Sequence, residues 1–342
     1  EMTLEKISRR TLGAAIAAAV LVLAGCGGEE KPQGAAPQAS ADAQKTLIPI
    51  GIVQLVEHDA LDAAVRGIID GLAERGYKEG ERITIDRQNA QADQSNLHNI
   101  GTRFASAGNK VIFAVATPAA QAMATAAKDI PIVGTAITDF VSAKLVKSDD
   151  APGGNVTGVS DMGPIEKQFE LLAKLVPNMK TVGTIYNSSE VNSAVQVKLL
   201  KDAAAAAGVE VLEATVSSVN DIQQAATSLK GKVDALYLPT DNVIASAVPV
   251  LAKIVDPAKI PTVAGEVGMV RNGCLASVSV DYYTLGKMTG EMGADILDGK
   301  STPAKMPIRR QLDGELVINM KTAKAIGITI PEDLLSKATK FE

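Results

Sequence analysis

The stretch "GIVQLVEHDALDAAVRG", residues 51–67, decides the reading of the chain. An apolar run from Ile52 to Val56 reads as a strand, stops at Glu57-His58-Asp59, and passes at once into an amphipathic helical pattern. A continuous apolar strand followed directly by a helix is the first half of a βαβ unit, whose strand lies in a parallel sheet covered on both faces. Two carboxylates and one of the chain's two histidines stand at that turn. Solvation alone calls for polar residues in a turn, so a single instance decides nothing about function.

The rest of the chain repeats the arrangement. "TLIPIGIVQLV", "RITIDRQ", "KVIFAVAT" and "IPIVGTAI" read as strands, with helices starting near Asp59, Asp93 and Pro118, and "GNVTGVSD" (154–161) closes this half. A second series follows in "TVGTIYN", "VEVLEATV", "VDALYLPTD", "IPTVAGE" and "CLASVSVD", with helices expected at about 164–176, 190–207, 219–230 and 242–254. Gly208, after the Ala-rich helix, suits a C-terminal cap. Two similar α/β lobes are the natural reading. The split assigns 46–160 with 283–304 to an N-terminal lobe and 161–281 with 305–342 to a C-terminal lobe, although sequence alone does not set the crossovers.

With 46% hydrophobic and 21% charged residues, the chain of 342 residues can bury a full core. Its net charge is −5, with no basic stripe interleaved with aromatics, so nucleic acid is excluded as a partner. The first 25 residues read as a signal peptide: Lys6, Arg9 and Arg10 form a positive region, and Leu12 to Leu23 an apolar run too short for a comfortable membrane span. "LAGC" (23–26) resembles a lipobox, which makes Cys26 the expected lipidation site. "SRRTLG" (8–13) is an incomplete twin-arginine motif, and plain basic flanks explain it as well. The only other cysteine is Cys274, so stability comes from the core rather than from disulfides. Residues 26–45 are rich in Gly, Pro, Ala and Gln and read as a flexible tether.

In open parallel sheets, ligands bind beyond the carboxyl ends of the strands. Those ends carry Gln54, Glu57 and His58; Thr117; Thr138-Asp139-Phe140; Asn187-Ser188-Ser189; Thr240-Asp241-Asn242; Glu266; and Asp281-Tyr282. Capping accounts equally well for Ser189, Asn192 and Asn242, since such side chains contribute about 1 kcal/mol at a helix start. As a set, however, free helix N-termini suit a carboxylate and facing carboxylates suit an ammonium, so a zwitterion fits the cleft. Phe140 and Tyr282 are the rings placed to contact a ligand side chain, in a chain with no Trp, five Phe and five Tyr.

Motifs for other chemistry are missing. Two histidines 40 residues apart make no histidine-based metal site, and no HExxH, paired CxxC or GxSxG is present. "GADILDGKS" (293–301) has five residues between its glycines where a phosphate loop has four, and it ends a helix instead of opening one. His98 falls within a helical pattern and reads as a surface histidine. No catalytic group and no cofactor is expected.

The blocks "GIVQLVEHDALDAAVRGIIDGLAERGY", "YNSSEVNS", "LPTDN", "GEVGMVRNGCLASVSVDYYTLG" and "LVINMKTAKAIGITIPEDLL" resemble the substrate-binding lipoproteins of ABC transporters. They are most similar to the branch that binds tryptophan or other aromatic amino acids, from about Thr46 to Leu335. The resemblance implies a type I periplasmic-binding fold: two Rossmann-like lobes with parallel sheets, three crossover strands and a ligand in the cleft. It also implies a monomer, exported and lipid-anchored, that passes an amino acid to a permease. Carried over by position, its cleft segments are Glu57-His58, Thr117, Asn187-Ser188-Ser189, Thr240-Asp241-Asn242, Glu266 and Asp281. The chain departs from the pattern at "EHDA" (57–60), where proline is expected after the histidine. The alternatives are a ligand-sensing module, an exported α/β enzyme, or a branched-chain amino acid or nucleoside as ligand.

Overall fold

The computed structural model describes residues 46–342. The signal peptide expected over 1–25, Cys26 and the tether expected over 26–45 lie outside the described residues. In the first half, β1 (Ile48–Gln54), α1 (Asp59–Glu74), β2 (Ile83–Asn89), α2 (Gln94–Ser106), β3 (Val111–Val115), α3 (Thr117–Ala126), β4 (Ile132–Ile137) and β5 (Val156–Ser160) follow in order. The second half continues with α4 (Ile165–Leu175), β6 (Thr181–Asn187), α5 (Val191–Ala206), β7 (Glu210–Val216), α6 (Ile222–Leu229), β8 (Ala235–Leu238), α7 (Asn242–Ala245), α8 (Val248–Val255), β9 (Thr262–Ala264), α9 (Val267–Arg271) and β10 (Ala276–Ser279). The last elements are α10 (Tyr282–Leu297), β11 (Arg309–Arg310), β12 (Glu315–Asn319), α11 (Met320–Ile326), α12 (Glu332–Leu335) and β13 (Thr339–Phe341).

Two sheets result. The first runs β11-β5-β4-β3-β1-β2 and is parallel throughout. The second runs β13-β12-β10-β9-β8-β6-β7, with only the β10–β12 pair antiparallel. β3 and β4 are buried at every residue, which explains why neither carries a charged side chain: helices cover both faces. Each sheet reverses its winding between its first and third strands, β1/β3 in one and β6/β8 in the other. The carboxyl ends at those reversals are where a doubly wound sheet opens a crevice.

The chain passes between sheets after β5, after β10 and after β11. The tail expected in the second lobe from 305 onward stays longer in the first. Arg309 and Arg310 pair with Val159 and Ser160 of β5, and Thr157 Oγ1 donates to Met306 O at 2.7 Å. A two-residue edge strand has no apolar pattern to announce it. The helix expected over 242–254 is two helices, because Pro249 lacks an N–H and Ala247 breaks the helical backbone at φ −140°.

One helix pair positions the site. α1 and α10 pack through glycines on both partners: a Cβ on Gly67 would lie 2.2 Å from Tyr283 O, and one on Gly286 2.1 Å from Ala64 O. Gly71 and Gly290 repeat the approach one turn on. The helices therefore touch backbone to backbone, and His58 and Tyr282, at their N-terminal ends, are held at a set separation.

Candidate functional site

The carboxyl ends of the two sheets face one another across a narrow cavity of about 10 Å³, room for about one water molecule. The first lobe contributes His58, Leu61, Ala136 and Tyr282; the second contributes Thr240, Asp241, Asn242, Ala245 and Glu266, and Asp161 stands on the crossover after β5. The lobes touch around it. His58 Nε2 is 3.1 Å from Asn242 Oδ1, and Gln196 Nε2 donates both to Thr138 Oγ1 at 3.1 Å and to Thr240 Oγ1. This is a closed arrangement, and a ligand enters only when the lobes part.

A buried network fixes the second lobe's wall. Asp241 caps α7 by accepting from Ile244 N at 3.0 Å, and also accepts from Asn187 N at 2.6 Å and Ser193 Oγ at 2.7 Å. Glu190 accepts from Asn242 Nδ2 at 2.6 Å and from Asn192 Nδ2 at 3.0 Å. Burial raises both carboxyls above their ordinary range, and the nearby Asp241 charge raises Glu190 further. Because Asn242 spends its amide N–H on Glu190, its oxygen faces His58, which must then donate from Nε2. Burial also pushes the imidazole below its ordinary range, against the Asn242 hydrogen bond and the charges of Asp62 and Asp59. His58 is thus neutral, and its Nδ1 is a bare acceptor, buried and without a partner.

Asp161 is the second such acceptor. Tyr282 OH donates to Oδ2 at 2.6 Å, while Oδ1 is buried with no partner. Burial raises this carboxyl against the hydrogen bond from Tyr282 and the nearby Thr138 hydroxyl, and burial together with the Asp161 charge holds the Tyr282 phenol well above its ordinary value, so it remains a donor. Glu266 caps α9, accepting from Met269 N at 2.9 Å and Gly268 N at 2.5 Å, yet burial still pushes it up to about 7. Among the described residues, no lysine or arginine lines the cavity. The wall is acidic and short of donors.

Of the residues singled out from sequence, His58, Thr240, Asp241, Asn242, Glu266 and Tyr282 meet at this cavity, and Asn187 supports it from behind. Thr117 is buried at the start of α3 with its hydroxyl unpaired, away from the cavity wall. Others lie elsewhere. Glu57, Ser188 and Ser189 are exposed. Asp281 is exposed too: it caps α10 through Tyr283 N and Thr284 Oγ1 on the outer face of the turn. Phe140 is 1% exposed and fills the first lobe's core, its ring against Gly134, so it offers no face to a ligand. Asp161 and Glu190 escaped the sequence reading, although Asp161 ends β5 as the other site residues end their strands.

Among the described residues, no group of His, Cys, Asp and Glu suits a metal ion, and no helix is long and apolar enough to cross a membrane. Comparison with known proteins agrees with the geometry. The family model described as "ABC transporter substrate binding protein" matches residues 49–342. A tyrosine-binding protein of Clostridioides difficile is 44% identical over 90% of this chain and 88% of its own length. The ABC domain in complex with L-Trp from Streptococcus pneumonia is 43% identical, with TM-score 0.83 over 86% of this chain and 99% of that one. A ligand-free, open substrate-binding protein with adhesive properties from Clostridium difficile is 44% identical over the same shares, yet its TM-score is 0.67. At equal identity, the lobes here are disposed as in the ligand complex rather than as in the open form.

Proposed function

Because this chain belongs to the substrate-binding proteins of ABC transporters, we propose that it is the extracytoplasmic receptor of an importer and closes its lobes on an aromatic amino acid. The tyrosine-binding relative and the L-Trp complex support the ligand class. The architecture, two doubly wound lobes joined by three crossovers, is the type I periplasmic-binding fold.

One observation carries the assignment: Asp161 Oδ1 and His58 Nδ1 are buried acceptors without donors, in a wall holding three carboxylates and, among the described residues, no basic side chain. An unmatched buried acceptor costs about 1–3 kcal/mol. A ligand ammonium carries a positive charge and N–H donors, and so answers both deficits, with Asp161 as its counter-charge. Tyr282, Leu61, Ala136 and Ala245 give the ligand's side chain its apolar surround.

The test is calorimetry with L-tyrosine and N-acetyl-L-tyrosine. Acetylation removes the charge, so binding weakens by about 1.5–3 kcal/mol, roughly tenfold to a hundredfold. Equal affinity for the two compounds sinks the ammonium reading. In this account the protein is a monomer that binds and delivers to a permease without catalysis, held at the membrane by lipid on Cys26. A Cys26→Ser variant is then lost from the membrane fraction; unchanged partitioning removes the anchor.

A further inference from the structure

We propose that Asp59, Arg271 and Asn272 form a latch between the lobes that holds the closed state from outside the ligand cavity. The inference rests on lobe closure and not on the identity of the ligand. Asp59 opens α1, one residue after His58, on the first lobe; Arg271 and Asn272 end α9 on the second. Asn272 Nδ2 donates to Asp59 Oδ2 at 3.1 Å and to Gly268 O at 2.9 Å, so the amide is oriented from its own side before it crosses the gap. Arg271 Nη1 lies 3.6 Å from the same Asp59 oxygen. The guanidinium sits over the Phe341 ring, 5.2 Å from its centroid, and is thereby braced on β13. The two helices meet closely: a Cβ on Gly268 would come 2.8 Å from that of Asp59.

Arg271 and Asn272 do not line the cavity. Their effect on affinity therefore passes through the equilibrium between open and closed lobes, which shifts only by differential contacts in the two states. The ion pair is half-exposed, with side chains 55% and 40% accessible, so it is modest and weakened by salt. The charge on Arg271 also gives the test a sign. Removing a cation near an acidic cavity would by itself strengthen the binding of an ammonium compound, whereas removing a latch weakens it.

The experiment compares wild type, Arg271→Ala, Asn272→Ala and Arg271→Lys, with L-tyrosine as probe. Arg271→Ala is expected to raise the dissociation rate about two- to fivefold, with association changed less than twofold, and Arg271→Lys to restore part of it. X-ray scattering of the ligand-free proteins at low salt is expected to show a larger radius of gyration in both alanine variants than in wild type. That arm needs no ligand, so failure of L-tyrosine to bind wild type overturns the ligand assignment while scattering still judges the latch. An unchanged ligand-free radius, or tighter binding by Arg271→Ala, overturns the latch.

Discussion

Replacing Asp161 by asparagine separates a binding role from a structural one, because the two roles predict opposite signs. Asp161 is 4% exposed, one of its oxygens accepts from Tyr282 OH at 2.6 Å, and the other has no partner. In the ligand-free protein an ionised carboxylate there is largely a cost, as its raised pKa records. Asparagine keeps the shape and an oxygen for Tyr282 while removing the charge, so the ligand-free protein melts at the same temperature or higher. In the complex, the same change takes away the partner of a buried ammonium. The loss is that of a charged hydrogen bond, about 1.5–3 kcal/mol, so Kd for L-tyrosine rises roughly ten- to a hundredfold. Calorimetry at pH 7.5 gives the affinity, and a melting curve without ligand gives the stability. An affinity loss under threefold, or a clear drop in the melting temperature of the ligand-free variant, refutes the reasoning.

Asp281→Ala marks the contrast: it removes an exposed cap worth about 1 kcal/mol and leaves Kd within threefold, whereas a strong affinity loss would return Asp281 to the site. Gly286→Ala drives a methyl to 2.1 Å from Ala64 O, so the melting temperature falls by the equivalent of about 1–3 kcal/mol; an unchanged value would mean that α1 and α10 are not locked. Stability of the ligand-free protein should rise on mild acidification. Asp161, Glu190, Asp241 and Glu266 have folded pKa values raised by burial, with Glu266 at about 7. Raised acids hold protons better in the folded state, so their contribution is full below the unfolded value of about 4 and is lost as pH climbs through the folded values. His58, lowered by burial, acts in the opposite direction over the same window, but four raised acids outweigh one imidazole. Melting temperatures should therefore fall between about pH 5 and 8, and a rise over that window contradicts the burial of these acids.

The strands and most helices were legible because each is a short apolar run ending in residues that cap the following helix, as at Asp93, Asp241 and Glu266. What sequence did not resolve was direction. Asp281 and Glu266 both end a strand and cap a helix, yet one faces solvent and the other the cavity, a difference set by how α10 docks against α1. Phe140 looked equivalent to Tyr282, but it follows the irregularity in β4 between Gly134 and Ile137 and turns into the core. In the sequence, Asp161 marks only the end of the first half-chain. Its importance lies in a partner 121 residues away, which no local pattern records.

The chain contains no tryptophan, so added L-tryptophan reports its own surroundings without background. Titrating the protein into L-tryptophan and following its emission tests most directly whether the closed cleft holds an aromatic amino acid. The account predicts a saturable blue shift, reversed by L-tyrosine or L-phenylalanine at concentrations at least roughly tenfold below those needed with L-leucine, a gap of about 1.4 kcal/mol. No shift at saturating protein, or displacement by leucine at lower concentration than by tyrosine, would contradict it.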